Sequence, residues 1–493
     1  MDRKYGIKSD LRAIRKKCKA VNGKEKVKLL GKLMLRPFGF QRCLFLSGYY
    51  EEEYRQQEKE DKELYEELRQ VTVESRSDLP GFKAEADDFK KEICLEVPAE
   101  KLRKRNRYIA LACENLDKGG LEEVVCMLAM GLKQQDIAVR IFCMQSGGSI
   151  AERLAEQNVE VLVFHGDKSR VKEFCLKEPP MLVNTHYVGE MMEVFYELQI
   201  PIIEVIHNTY AFLDETGWNR ERKKSQYIHK YIAVSKSAER MFRAKCPGIG
   251  EDKITVIGNG TESVHEMGIS REKTRSALGI SSEAFVCIAV GSIDARKNQV
   301  GLLRAWSIFK NLVEEEAVLL VVGSSIDVEY EAHVEEVLNQ RALHDSVIML
   351  GQSDCVHELL NASDLFLMDS YYEGWSVAAT EALCYGVPVI HSDCGSGRQL
   401  TAEGRMGRLC PNPLNNLENY DNIELFERMQ AGINDNLREM VTLMRQMHAE
   451  RAYWKGVRKD MMKCAKEKFS FDTMFARYLY EFEKIVKENE VLR

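Results

Sequence analysis

From about residue 107 onward, short apolar runs alternate with longer stretches in which apolar residues recur every three to four positions. YIALAC (108–113), AVRIFCM (138–144) and VEVLVF (159–164) have strand length. Between them, LEEVVCMLAMGLKQQ and SIAERLAEQN have helical periodicity. MLVNTH, IIEVIH and YIAVS follow at similar spacing, and DKITVIGNG closes the set. A second alternation opens at FVCIAVGS (285–292). It continues through the helix NQVGLLRAWSIFKNL, the strand AVLLVVG, a helix near 328–341, VIMLG, HELLNA, LFLMD and VPVIHS (387–392). Strands this uniformly apolar are covered on both faces, so the pattern predicts an α/β chain with two doubly wound parallel sheets. The expected domains are residues 106–280 and 281–465, with a closing helix, FDTMFARYLYEFEKIV (471–486), inside 466–493. Residues 411–470 read as helical, without a definite place in the packing.

Residues 1–105 follow another pattern. They are highly charged, and EEEYRQQEKEDKELYEELRQ (51–70) reads as a long exposed helix. LPGF (79–82) is a turn, and KLRKRNR (101–107) ends the segment with positive charge. The expectation is a charged, largely helical N-terminal extension.

Composition narrows the class. At 493 residues, 45% hydrophobic and 30% charged, the chain fits a soluble globular protein of two domains plus an extension. Its longest apolar runs have strand length, and the N-terminus lacks the apolar core of a signal peptide. The 14 cysteines form no CxxC pair and are expected to be reduced thiols. Together these features point to the cytoplasm. The net charge of −7 conceals an asymmetry, because residues 1–36 hold 13 Lys/Arg against 3 Asp/Glu. A basic, partly amphipathic stretch can lie on an anionic membrane surface, here the inner face, or stand as an ordinary solvated helix. Nucleic-acid binding is not expected, since the body is acidic and carries no recognition motif.

Candidate chemistry concentrates in FLMDSYYEGWSVAATEALCYGVPVI (366–390). Glu373 follows a strand-like run, Gly374 marks the turn, and Glu381 lies about one turn into an Ala-rich helix. A helix N-terminus suits phosphate. A carboxylate deeper in the helix can accept hydrogen bonds from ribose hydroxyls, and one on the loop can hold a second sugar. Two arbitrary glutamates would more often be a solvated loop residue and a helix-terminus carboxylate. In VGSIDARKNQ (290–299), Arg296 and Lys297 follow a strand end. No DxD metal motif occurs, so these cations can neutralise a diphosphate instead of a metal ion. In NLDKGGLEEVV (115–125), Gly119 and Gly120 can let backbone approach a phosphate. VIHNTY places His207 at a strand end, and His186 in VNTHY competes with it for a proton-handling role.

Residues 366–390 resemble the E-x7-E motif of retaining GT-B glycosyltransferases, in particular glycosyltransferase family 4. The likeness lies in Glu373–Gly374, Glu381–Ala382 and the GVPVI strand. The family usually reads EGFG where this chain reads EGWS; Trp375 keeps a large ring, and Ser376 replaces a glycine and can cap the helix. VGSIDARKNQ is similar to the family's GRL-x3-KG loop, with Lys297 at the lysine position and Ser292 at that of the usual arginine, for which Arg296 can compensate. YIAVSKSAE and VIGNG resemble the family's VSE and VIPNG segments, and VIMLGQSDC its base-facing loop. The resemblance spans roughly 107–490 and implies two Rossmann-like domains facing across a cleft. It implies catalytic roles for His207, Glu373 and Lys297. It implies donor contacts from Gly119, Gly120, Arg296, Lys297, Glu373, Gly374, Trp375, Ser376 and Glu381, with Glu381 on the ribose and Glu373 on the sugar. A metal-independent transfer with retention follows from the resemblance alone, with no cofactor beyond a nucleotide-diphosphate sugar, expected to be a UDP-sugar. The acceptor would be a glycan or lipid-linked molecule of cell-envelope or polysaccharide biosynthesis. An inactive nucleotide-sugar-binding subunit and a GT-B epimerase are the alternatives.

Overall fold

A computed structural model of the protein describes residues 56–73, 102–103, 107–117, 119–261, 270–325 and 327–491. The chain divides into two compact units, Met1–Gln70 and Val71–Arg493. In the first, residues 56–69 form a helix on which Lys62 and Glu58, one turn apart, pair at 3.1 Å. The basic stretch 1–36, with its membrane-surface reading, lies outside the described residues, as does the LPGF turn.

The larger unit contains two parallel sheets. The first has strands β1 (Ile109–Leu116), β2 (Val139–Gly147), β3 (Glu160–Val163), β4 (Leu182–His186), β5 (Ile202–Ile206), β6 (Lys230–Ala233) and β7 (Ile254–Val256), in the order β3-β2-β1-β4-β5-β6-β7. The second has β8 (Phe285–Val290), β9 (Ala317–Val322), β10 (Val347–Gly351), β11 (Leu365–Met368), β12 (Val389–Ser392) and β13 (Gly407–Cys410), in the order β10-β9-β8-β11-β12-β13. Both orders reverse direction after the first strand, between β1 and β4 and between β8 and β11. At such a switch point adjacent loops diverge and leave a crevice at the carboxyl ends of the strands. Helices cover both faces, so strands such as β4, β5 and β9 are buried at every position. Phe142, Phe195 and Tyr231 fill the first core; Trp306, Phe309 and Phe366 fill the second.

One strand was not expected. β13 reads GRLC, and its arginine hides the strand pattern. Arg408 is tolerated there because its guanidinium meets the buried Glu450 at 2.8 Å. Residues 411–470 resolve into the helices Asn422–Ala431, Leu437–Ala449 and Arg451–Lys468. The second packs on the helix Gln299–Lys310 and the third on the helix Val377–Cys384. The closing helix, Phe471–Val491, runs past the expected 486 and seats on the first sheet's layer. Its Phe471 and Phe475 fill the space over Gly131, and its Glu481 accepts from Thr255 Oγ1 at 3.0 Å. No helix among the described residues is long and apolar enough to cross a membrane.

Candidate functional site

The site is built on loops that leave the carboxyl ends of the strands. After β8 the chain makes a tight turn. Asp294 accepts from the Lys297 amide at 3.3 Å, residues Ala295–Lys297 form a 3-10 turn, and Asn298 (φ 54) reverses the chain into the helix Gln299–Lys310. Asn298 is tolerated in this left-handed conformation and caps the helix, accepting from Gly301 N at 3.1 Å. Arg296 and Lys297 therefore sit on a short turn before the helix, not at its start. Ser292, which occupies the position of the family's arginine, bonds to Asp294.

The loop after β11 is fixed from below by a buried polar network. Asn298 Nδ2 and Asn436 Nδ2 each donate to Asp369 at 2.8 Å. Tyr371 donates through its hydroxyl to Asn298 at 3.1 Å, and its amide to the Arg296 carbonyl at 3.0 Å. Burial pushes Asp369 up to about 7, against the two amide donors. This network delivers Glu373, itself buried, to the cations of the first loop: Lys297 Nζ lies 2.6 Å and Arg296 Nη1 3.0 Å from the same Oε1. Burial alone would raise the Glu373 pKa, but Lys297 and Arg296 outweigh it and hold the carboxyl below its usual range. Three of the residues singled out from sequence thus form one charged cluster.

At Gly374 the two halves approach closely. A Cβ there would overlap the carbonyl of His207, so only glycine fits. Ser376 caps the helix Val377–Cys384, accepting from the Ala379 amide at 3.3 Å, while its own amide donates to Ser396 at 2.9 Å. Glu381 lies on that helix, half-buried, and its carboxylate has no hydrogen-bond or ion-pair partner among the described residues. Burial pushes its carboxyl up to about 7. Trp375 departs from the cluster. Its ring lies over Gly258, its indole N–H donates to Thr380 at 2.9 Å, and it meets Phe469 edge-on at 5.9 Å. It lines a cavity together with Gly258 and Phe469, a cavity to which Glu373 does not contribute.

In the first half, Gly119 precedes the 15-residue helix Gly120–Gln134, which has no side-chain cap. Gly119 is extended (φ 172), and a Cβ on Gly120 would meet nothing. Gly120 thus leaves open space beside the first amides of the helix, whereas the Glu122 carboxylate occupies the space that a side chain on Gly119 would need; neither glycine has an unusual backbone. His207, partly exposed, follows β5, and His186 ends the neighbouring β4. Their rings are hydrogen-bonded, His186 Nδ1 to His207 Nε2, at 2.7 Å. Burial lowers both pKa values, that of His207 to about 3, so both rings are neutral near pH 7. The tautomers then follow. Asn184 donates its amide to the Ile203 carbonyl at 3.0 Å, so its oxygen accepts from His186 Nε2 at 3.1 Å. His186 Nδ1 is therefore an acceptor, His207 Nε2–H donates to it, and His207 Nδ1 keeps a lone pair. Sequence placed the two histidines in competition, but the structure joins them in series. Asn184 was missed, although it sits two positions before His186 on the same strand face. Tyr187 and Tyr210, both at φ 56, flank the pair in a conformation that bulky residues seldom adopt.

Comparison with known proteins agrees in both halves. The family described as Glycosyltransferase Family 4 matches residues 118–263, and that described as Glycosyl transferases group 1 matches 270–441. An uncharacterized glycosyltransferase of Methanocaldococcus jannaschii is 32% identical over 179 residues, covering 35% of this chain and 42% of its own. The UDP-Gal:alpha-D-GlcNAc-diphosphoundecaprenol alpha-1,3-galactosyltransferase of Escherichia coli is 25% identical over 245 residues, covering 44% and 58%. The chain thus spans about half the length of the curated relatives it matches. Among solved structures, a glycosyltransferase from Rickettsia africae superposes with a TM-score of 0.61 at 17% identity, covering 78% of this chain and 99% of that one. Anabaena HepE in complex with UDP gives 0.60 at 16%, covering 76% and 100%. At such identities the likeness is one of fold.

Proposed function

Since the chain belongs to the GT-B glycosyltransferases of family 4, we propose that it moves a sugar from a nucleotide-diphosphate sugar, a UDP-sugar, to a hydroxyl of a glycan or lipid-linked acceptor. The reading rests above all on the cluster in which Lys297 and Arg296 converge on the buried Glu373 beside His207. Transfer breaks the bond between the anomeric carbon and the diphosphate oxygen, and negative charge grows on that oxygen. Fixed cations in a water-poor cleft stabilise that charge without having to reorganise. Glu373 orders these cations in advance and offers its second oxygen to a sugar hydroxyl. Glu381, ionised, accepts from the ribose diol.

The acceptor oxygen bonds to the same face from which the diphosphate leaves, giving retention, and its proton passes to the departing phosphate oxygen. His207 is neutral and directs a lone pair from Nδ1, so its part is to accept a hydrogen bond from a hydroxyl of donor or acceptor. It does not supply protons. Lys297 and Arg296 take the place of a metal ion. The names of the E. coli relative and of the Anabaena complex, a UDP-galactose enzyme and a UDP-bound protein, support a uridine nucleotide.

The test is a calorimetric screen of nucleotide sugars followed by product analysis with and without acceptor. A UDP-sugar should bind, and the anomeric configuration should persist in the product. Binding without turnover under any condition would instead indicate a nucleotide-sugar-binding subunit, and a changed sugar in the absence of acceptor would indicate an epimerase.

A further inference from the structure

A cavity of ≈ 1070 Å³ lies where the two halves meet the closing helix. Its walls come from the start of the helix after β6, the end of β7, the loop after β11, the stretch from the segment after β12 into β13, and the junction of the last two helices. Six basic side chains line it, Lys236, Arg398, Arg405, Arg408, Lys468 and Arg477, against one acid, Glu403. The chain as a whole is acidic, with a net charge of −7, so this concentration of positive charge runs against its composition. Some of it is used internally. Arg408 pairs with Glu450, Arg398 with Asp393, and Arg405 approaches Glu403 at 4.0 Å. Lys236 and Arg477 are exposed and have no ion-pair partner among the described residues. The rings of Trp375 and Phe469 form an apolar patch in the same wall. A cavity with an excess of guanidinium and ammonium donors selects anions, and phosphoryl groups suit arginine's paired donors best. The volume exceeds what a single inorganic phosphate would fill and suits a small organic ligand.

We propose that this cavity is a second ligand site, distinct from the Glu373 cluster, for a small anion carrying two or more phosphoryl groups. Lys236 belongs to the first half, Arg398 and Arg405 to the second, and Arg477 to the closing helix. At the same wall the Lys236 amide donates to Gln399 Oε1 at 3.0 Å, the two halves already touching there. A ligand held by all three parts would therefore fix the angle between the halves. The site stands whether or not the cleft binds a nucleotide sugar.

The experiment is isothermal titration of the full chain with inorganic tripolyphosphate at low salt, alone and with saturating UDP. The wild type should bind it saturably, one to one, in both conditions. Lys236→Ala and Arg477→Ala should each weaken binding on the order of tenfold, and more together, since each removes one charge-assisted contact. Both side chains are exposed, so the variants should keep the wild-type melting profile and UDP affinity. Absence of saturable binding, an unchanged affinity in the double variant, or displacement of tripolyphosphate by UDP would each overturn the proposal.

Discussion

Replacing Lys297 by methionine tests the charged cluster most directly. The change keeps most of the side chain's length and removes one charge. At 2.6 Å, with an effective dielectric constant of about 20, the gross attraction between Lys297 and Glu373 is roughly 6 kcal/mol. Desolvation of two nearly buried groups offsets much of it, and removing one partner of a buried pair costs about 3–5 kcal/mol. Arg296 stays 3.0 Å from the same oxygen and keeps part of the compensation. Lys297→Met should therefore destabilise the fold by about 2–3 kcal/mol near pH 7. The pH dependence follows from the sign of the shift. The Glu373 pKa is held low in the folded protein, so its stabilisation is present above the unfolded value and is lost as pH falls through the folded one. The difference between wild type and variant should accordingly shrink below about pH 4. Urea unfolding between about pH 2.5 and 8 measures this, and a double-mutant cycle with Glu373→Gln isolates the pair. A coupling energy under about 0.5 kcal/mol, with no narrowing in acid, would refute the assignment.

Three further outcomes are expected. Gly374→Ala should abolish transfer and lower the melting temperature, because its methyl group would overlap the His207 carbonyl; wild-type activity in this variant would mean that the halves need not meet there. UDP-sugar affinity should strengthen as pH rises through about 7, where Glu381 ionises, and Glu381→Gln should flatten that profile in titration calorimetry. Asn184→Leu should free His186 to change tautomer and lower kcat more than it raises KM, while ¹⁵N spectra of the imidazoles show a redistributed proton; unchanged spectra would contradict the derived chain of donors.

The alternation of apolar runs revealed most of the fold, because parallel strands covered on both faces cannot hide their hydrophobicity. β13 escaped because it is four residues long and its arginine is neutralised by Glu450, which lies 42 residues further along. In the candidate site, the residue types were legible: Glu373, Lys297, Arg296 and His207 stood out in the sequence, and the fold brings them together. Their partnerships were not, since an ion pair between loops 76 residues apart leaves no local signal. The buried support of Asp369, Asn298 and Asn436 was equally invisible, each residue looking like ordinary loop polarity. His186 and His207 show what was available but unused. Both lie at the ends of strands whose spacing already suggested neighbours, and neighbouring parallel strands bring their end residues within contact.

The closing helix has a consequence for how the molecule is made. It seats on a layer whose strands all precede residue 257, yet it begins at residue 471. During synthesis the first half emerges early but cannot complete its packing until the entire second half has left the ribosome. The surface around Gly131 and Thr255 stays uncovered in that interval. Contacts this distant in sequence slow folding and lengthen the exposure of apolar surface. The two halves should therefore acquire their final stability together, and a chain cut between them should yield a first half that associates with itself or with chaperones.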